Sequence, residues 1–412
     1  MTQDPLCEQH NLKAHLSTCE QTLNLSIETY DILAVPSFEN VLALTLVVIK
    51  AQNESKPMLC CTLVAAAASH CQMLGYHRET TYSNGRLENA ENKRRIFWSL
   101  YLFDKNMSLI LGHASKMQDF EIDAQYPCLS ADPARIAWDK WFTMAIKLAR
   151  VQGQIFDRLY SASALKAPVA VREERISELD TVLRQWRVDF EQIDGSRVNH
   201  PQVFALSSGH WDIMYYSTRT ALLRASSTSG TGSEITSECF HAARLSLESH
   251  LRCFSGLKKS AIVSDKKFAN WVLHSSSLCP FIVIFLHAIA ATNLEDVHLL
   301  DEVVLTLQHV QEASTSSKRL YQICATFAQL AGRMVEERSS FLRSYDQHTD
   351  SLQLFDAMTE VPFSWPETGQ EFFETEMATD GLPDWDVPDM TAILNSWVEG
   401  QTSVFSMCGT TP

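Results

Sequence analysis

Between Ile96 and Leu111 only two residues, Asp104 and Lys105, carry charge. Apolar residues in this stretch recur at three and four, the spacing of a helix face rather than of a strand. At about 100° per residue, Ile96, Leu100, Phe103, Met107 and Leu111 form one stripe, flanked by Phe97 and Tyr101, with Trp98 on the opposite side. A helix that is apolar on most faces must be covered on most faces. The spacing therefore predicts a central helix over 88–111 with other helices packed round it. Gly112 supplies the left-handed residue that ends it. Asp104 lies near the edge of the stripe, and a buried carboxylate needs a cation or several donors. Arg94 and Arg95 are about 15 Å up the same axis, out of reach, so the partner is expected from another segment, with Arg78 a candidate. Glu91 and Arg95, four apart, can pair along the helix surface.

The same periodicity predicts helices at 8–30, 38–53, 57–75, 133–161, 171–193, 203–225, 234–256, 267–291, 297–314 and 317–342. Breaks fall at prolines, glycines and short polar runs such as Ser83-Asn84-Gly85 and Ser226–Ser233. There is neither an alternating strand nor a repeat of fixed period. The expected fold class is all-α. The most apolar run, Leu278 to Ala291, is shorter than the ~20 residues a bilayer span takes and contains Pro280 and His287, so no membrane partner is expected. The N-terminus has no basic segment followed by an apolar one, hence no secretory signal. Eleven cysteines, none in a Cys-x-x-Cys pair and most within apolar helical stretches, read as reduced thiols in an intracellular protein.

Charge divides the chain. After Arg343 there is no Lys or Arg but thirteen acids, so the 343 residues before carry only −2 of the net −15. Neither part attracts a polyphosphate, and direct DNA binding is not expected. The expected division is a helical body at 1–343 and an acidic tail at 344–412. The tail scatters aromatic and apolar residues among its acids, among them Phe372, Phe373, Trp385, Leu394 and Trp397. Such a composition predicts a largely disordered segment whose aromatics stay available to a partner.

From Met73 to Ile122 the chain runs Leu-Gly-Tyr-His-Arg at one helix end, then Arg-Arg-Ile-Phe-Trp at the next helix start, then an in-helix Asp and a terminal Gly. That order resembles the central regulatory domain of fungal zinc-cluster transcription factors. Residues 39–77 and 133–161, Leu179 to Trp186, Trp211 to Arg224, and Cys239 with Ala242-Ala243-Arg244 resemble further blocks of the family. The motif residues carried over are Gly75, His77, Arg78, Glu91, Arg94, Arg95, Phe97, Trp98, Asp104, Gly112 and Asp119, all in structural roles. Two positions depart: Gly112-His113-Ala114 stands where the family has Gly-Arg-Pro, and Asp104-Lys105 where it often has Asp-Arg.

The resemblance implies a nuclear transcription regulator whose DNA-binding module holds zinc through two Cys-x-x-Cys pairs. No such pair occurs in this sequence, residue 1 falls partway into the regulatory domain, and zinc is expected only in the absent module. No cofactor is expected in this chain. Targeting is expected from a related DNA-binding factor or an upstream module. The tail is expected to recruit transcription machinery or a coactivator, which makes an activator, and the body to answer a small-molecule effector or a partner protein. The genes would form a metabolic or biosynthetic set. The alternative from another class is a helical scaffold that titrates related factors without activating. Lys93-Arg94-Arg95 reads as a helix start rather than an import signal. His70 and His77 share a helix face but have no third ligand at three or four. Hydrolase, metalloprotease and P-loop motifs do not occur, and an enzyme is not expected.

Overall fold

The computed structural model describes residues 12–28, 35–54, 56–83, 89–228, 235–260, 268–269 and 277–346. Among them there are twelve α-helices and no strand. They are α1 (Leu12–Glu28), α2 (Phe38–Asn53), α3 (Pro57–Met73), α4 (Thr80–Ser83), α5 (Ala90–Leu111), α6 (Pro133–Ile155), α7 (Val169–Glu191), α8 (Pro201–Arg224), α9 (Ser237–Ser260), α10 (Cys279–Ala291), α11 (Leu294–Val310) and α12 (Thr315–Asp346). The all-α expectation holds. The tail residues Phe372, Phe373, Trp385, Leu394 and Trp397 lie outside the described residues.

Two compact units divide the chain. One holds the described residues up to Tyr101 together with Lys116–Tyr126; the other holds Leu102–Ser115 and the chain from Pro127 on. In the first unit α2 and α3 pack as a pair. Ser37 caps α2 by accepting from the Asn40 N–H. The helices meet through Val41, Leu44, Val48 and Ala51 on one side and Cys60, Val64, Ala67 and Cys71 on the other, all buried. Pro57 opens α3, where its missing N–H costs nothing.

The second unit is built round one large apolar cluster from α6 to α12. The recurrent blocks supply it: Leu179, Leu183 and Trp186 of α7, Trp211, Leu222 and Leu223 of α8, Cys239, Ala242 and Ala243 of α9. Trp186 lies stacked between Phe190 and Tyr215, and its indole donates to the Met144 carbonyl at 2.7 Å. Several buried charged groups find partners. Arg172 donates to the carbonyls of Leu159, Ala164 and Ala225 at chain turns, and Asp180 takes a forked pair from Arg219 at 2.7 and 3.3 Å. Asp296, fully buried, accepts from Arg244 at 2.8 Å and from His287 at 2.7 Å.

Two expected boundaries change. Residues 267–291 are not one helix: Ser277 and Leu278 are non-helical and α10 starts at Cys279, with Pro280 in its first turn. A proline inside a longer helix would clash with the carbonyl four residues back, so a start is the position it tolerates. The helix expected over 133–161 leaves α-geometry at Ile155 and ends in a π-turn, Phe156–Tyr160.

Two histidines, His210 and His250, are pushed by burial down to about 4 and set an acid dependence. Thr306 spends its hydroxyl hydrogen on the Val303 carbonyl, so His250 Nε2, at 2.7 Å, donates to the Thr306 oxygen. Burial pushes the His250 imidazole down to about 4. The unfolded chain then binds a proton before the folded one does. Stability is full above the ordinary histidine value and falls on acidification by about 1.4 kcal/mol per pH unit until the folded pKa is reached. In urea unfolding between pH 7 and 4.5, His250→Gln is expected to lessen the slope by that amount, the His210 share remaining; an unchanged slope would show that His250 carries no share.

Candidate functional site

The described residues of 73–101 and 116–126 form a knot within the first unit. It starts at the end of α3. The Gly75 N–H donates to the Gln72 carbonyl and the Tyr76 N–H to that of Cys71, the paired bonds of a Schellman ending. Gly75 sits at φ +73°, and a Cβ there would lie 2.8 Å from Thr81 Oγ1, which itself donates to the Gly75 carbonyl. Gly75 therefore ends the helix as expected. The chain reverses through His77 and Arg78, and α4 follows.

Arg94 is the centre of the knot. It is buried, and its guanidinium forks onto Glu79, with contacts of 2.8 and 3.1 Å. The same group donates to the Gln125 carbonyl at 2.9 Å and lies over the Tyr82 ring at 4.1 Å from its centre. Glu79 in turn accepts from the Gln125 N–H at 2.8 Å. The Arg94 hydrogen bond, with that of Gln125, holds the Glu79 carboxyl below its ordinary value. Trp98, one turn on, donates from its indole to the same Gln125 carbonyl at 2.9 Å. Its ring is fully buried and packs against Phe97, Tyr101 and Tyr126, with centres 5.1 to 5.3 Å apart.

Tyr101 closes the knot by donating to Asp119 at 2.7 Å. Asp123 accepts from the Glu79 N–H, while the N–H groups of Asp123 and Ala124 donate to the His77 carbonyl. Burial and the neighbouring Arg78 push the His77 imidazole down, against the pull of Glu121 and Asp123. Glu91 reaches Arg95 at 3.0 Å, the expected pair, and Arg94 at 3.9 Å.

Of the motif residues, Gly75, His77, Arg78, Glu91, Arg94, Arg95, Phe97, Trp98 and Asp119 lie in the first unit and Asp104 and Gly112 in the second, and one expected partner is replaced. Arg78 does not serve Asp104: it pairs with Glu121 at 2.7 Å, in the turn it borders. Asp104, in the second unit, accepts from the Ser115 hydroxyl. The turn at Gly112, φ +70°, carries the chain back to Ser115. The face of α5 also differs from the expected stripe. Phe97, Trp98, Leu100, Tyr101, Asp104, Lys105 and Ser108 are the most buried, while Ile96, Phe103 and Leu111 are half-buried. The expectation that most faces of this helix are covered holds, since no residue from Lys93 to Leu111 is exposed. Within Lys93-Arg94-Arg95, the Arg94 side chain is only 9% exposed and is engaged by Glu79.

Glu79 and Gln125 are the residues that motif reading missed. Glu79 had a signal, being the only acid between Met73 and Ser83 and following a helix end that turns the chain back. Gln125 had none, because it acts through its backbone. The knot is an ion pair and its hydrogen-bonded loop, spent on the chain itself, and it presents no nucleophile–base pair. Among the described residues no three His, Cys, Asp or Glu side chains converge to hold a metal, and no helix is long and apolar enough to cross a membrane.

The comparisons with known proteins bear on this segment. Residues 1–188 match the model of the fungal specific transcription factor domain. The chain carries a fungal-specific transcription factor domain. That domain contains the whole Glu79–Arg94–Gln125 knot. A transcriptional regulatory protein of Schizosaccharomyces pombe is 32% identical over 43% of this chain and 28% of its own length. A second from that organism is 30% identical over 32% of this chain and 18% of its own. An ABC-transporter-regulating transcription factor of Aspergillus oryzae is 23% identical over 68% of this chain and 35% of its own length. The chain therefore spans about a third or less of the curated relatives it matches. No solved structure matches.

Proposed function

We propose that this chain is the regulatory part of a fungal transcription regulator of zinc-cluster type, acting in the nucleus as an activator. The observation that carries this reading is the fungal-specific transcription factor domain over residues 1–188, shared with relatives named as transcriptional regulators. In this reading the helical body receives the signal, a small molecule or a partner protein. Residues 344–412, with thirteen acids and interspersed aromatics, recruit the transcription machinery. DNA contact is supplied outside residues 1–412, by a partner factor or a zinc-cluster module, since no Cys-x-x-Cys pair occurs in the sequence. The A. oryzae relative, named for regulating an ABC transporter, makes transporter genes the first target class to examine, beside metabolic and biosynthetic sets.

The experiment is chromatin occupancy and transcript profiling of the host with the chain intact and with 344–412 deleted. The expected result is occupancy at a discrete gene set whose transcription drops on deletion while occupancy persists. Occupancy without any transcriptional change on deletion would point instead to a scaffold that titrates related factors.

A further inference from the structure

Among the described residues three tryptophans give their indole N–H to a backbone carbonyl: Trp98 to Gln125, Trp138 to Asn199 and Trp186 to Met144. Two do not. Trp141 Nε1 and Trp211 Nε1 are both buried and have no hydrogen-bond partner. They belong to touching rings, edge to face with centres 4.9 Å apart. An indole nitrogen only donates, so neither can satisfy the other. A buried donor left without an acceptor is costly, and two of them in adjacent side chains call for a cause. Further rings of the second unit gather round this pair. Trp138 of α6 lies 6.1 Å from Trp141 and 5.0 Å from Phe204 of α8. Trp186 and Phe190 of α7 lie 6.2 and 6.3 Å from Trp211. Trp211 is only 8% exposed, whereas Trp138 and Trp141 are half-buried, so the row of rings runs from the surface into the core.

We infer that this row of rings binds a small, flat, uncharged molecule through a carbonyl oxygen that accepts from Trp141 and Trp211. The inference rests on the reading above that the helical body receives a small molecule, and it names the class and the seat. Aromatic faces favour a flat apolar body. A carbonyl oxygen has two lone pairs, one for each N–H. The charged side chain packed on these rings, Arg187, lies over Tyr215 and is already paired with Asp212 and Glu191. His210, beside Trp211, carries no charge at pH 7, since burial pushes it down to about 4. Neither offers a charge to an ionic ligand, and an unpaired ion is costly to bury.

The test is a titration of the purified full chain with 1-indanone, a flat ketone, and with indane, the same frame without the oxygen. Nuclear magnetic resonance follows the indole N–H signals, assigned with Trp141→Phe and Trp211→Phe. The expected result is saturable binding of 1-indanone below about 5 mM, the range that fragments of this size reach. Both signals are expected to move downfield as they gain an acceptor. Indane is expected to bind at least about 10-fold more weakly, the worth of one neutral hydrogen bond. Trp141→Phe, at a half-buried site, keeps a ring and drops the donor. It is expected to weaken 1-indanone by about 10-fold and to leave indane unchanged. Equal binding of the two probes, or an equal loss of both in Trp141→Phe, would overturn the inference. So would the absence of any shift with 1-indanone, which would leave the two N–H groups to internal water. Binding is read on the purified chain and activation on the tethered tail, so a failure here is distinguishable from a failure of the functional reading.

Discussion

Replacing Trp98 with alanine is expected to destabilise the chain by about 3–5 kcal/mol, since a fully buried ring is removed from a packed site. Three aromatic neighbours, Phe97, Tyr101 and Tyr126, lose their contact surface together, and the Gln125 carbonyl loses the indole donor. Relaxation cannot close the gap easily: the ring lies between α5 and the 118–126 segment, which is fastened at Asp119, Asp123 and Gln125. Trp98→Phe keeps most of the area and is expected to cost less than half as much. Denaturant unfolding checks both. A change under about 1 kcal/mol for Trp98→Ala would mean that the ring is not enclosed.

Arg94→Met is expected to cost about 3 kcal/mol, at the lower end of the range for breaking a buried pair because Glu79 keeps about a quarter of its side-chain surface in water. The loss has two parts. Glu79 keeps its charge without the guanidinium fork, and the Gln125 carbonyl keeps only the Trp98 donor. Arg94→Lys preserves the charge but not the fork and should recover only part of the loss. Since Arg94 and Trp98 donate to one carbonyl, their effects are coupled, and the double variant should fall short of the sum by 0.5 kcal/mol or more. Amide exchange over 118–126 supplies the local readout: faster exchange there on Arg94→Met places the loss in the knot, and unchanged exchange contradicts it. The Glu79 contribution runs with its lowered pKa. It is present above the ordinary carboxylate value and fades as pH falls through the folded one.

The sequence was informative where a local rule left few choices. Gly75 and Gly112 had to accept positive φ at helix ends, and both do. Helix positions followed the period of the apolar residues, and Pro57 and Pro133 marked starts. The rotation of α5 was not legible, for a physical reason: when nearly every position is apolar, periodicity carries no phase. The buried face then follows from which neighbours arrive, and it takes in Asp104, Lys105 and Ser108. Partners across a turn were equally hidden. Arg78 and Arg94 both need carboxylates, and which takes Glu79 or Glu121 depends on how the chain reverses after Gly75. Ion pairs four apart on one helix, such as Glu91–Arg95, need no such knowledge and were readable.

The measurement that bears most directly on the functional account is a tethering assay. Residues 1–412, and residues 344–412 alone, are fused to an unrelated DNA-binding domain over a reporter. The account expects activation by 344–412 alone, with its strength altered when the helical body is present. A reporter silent with both fusions, each expressed and nuclear, would contradict it.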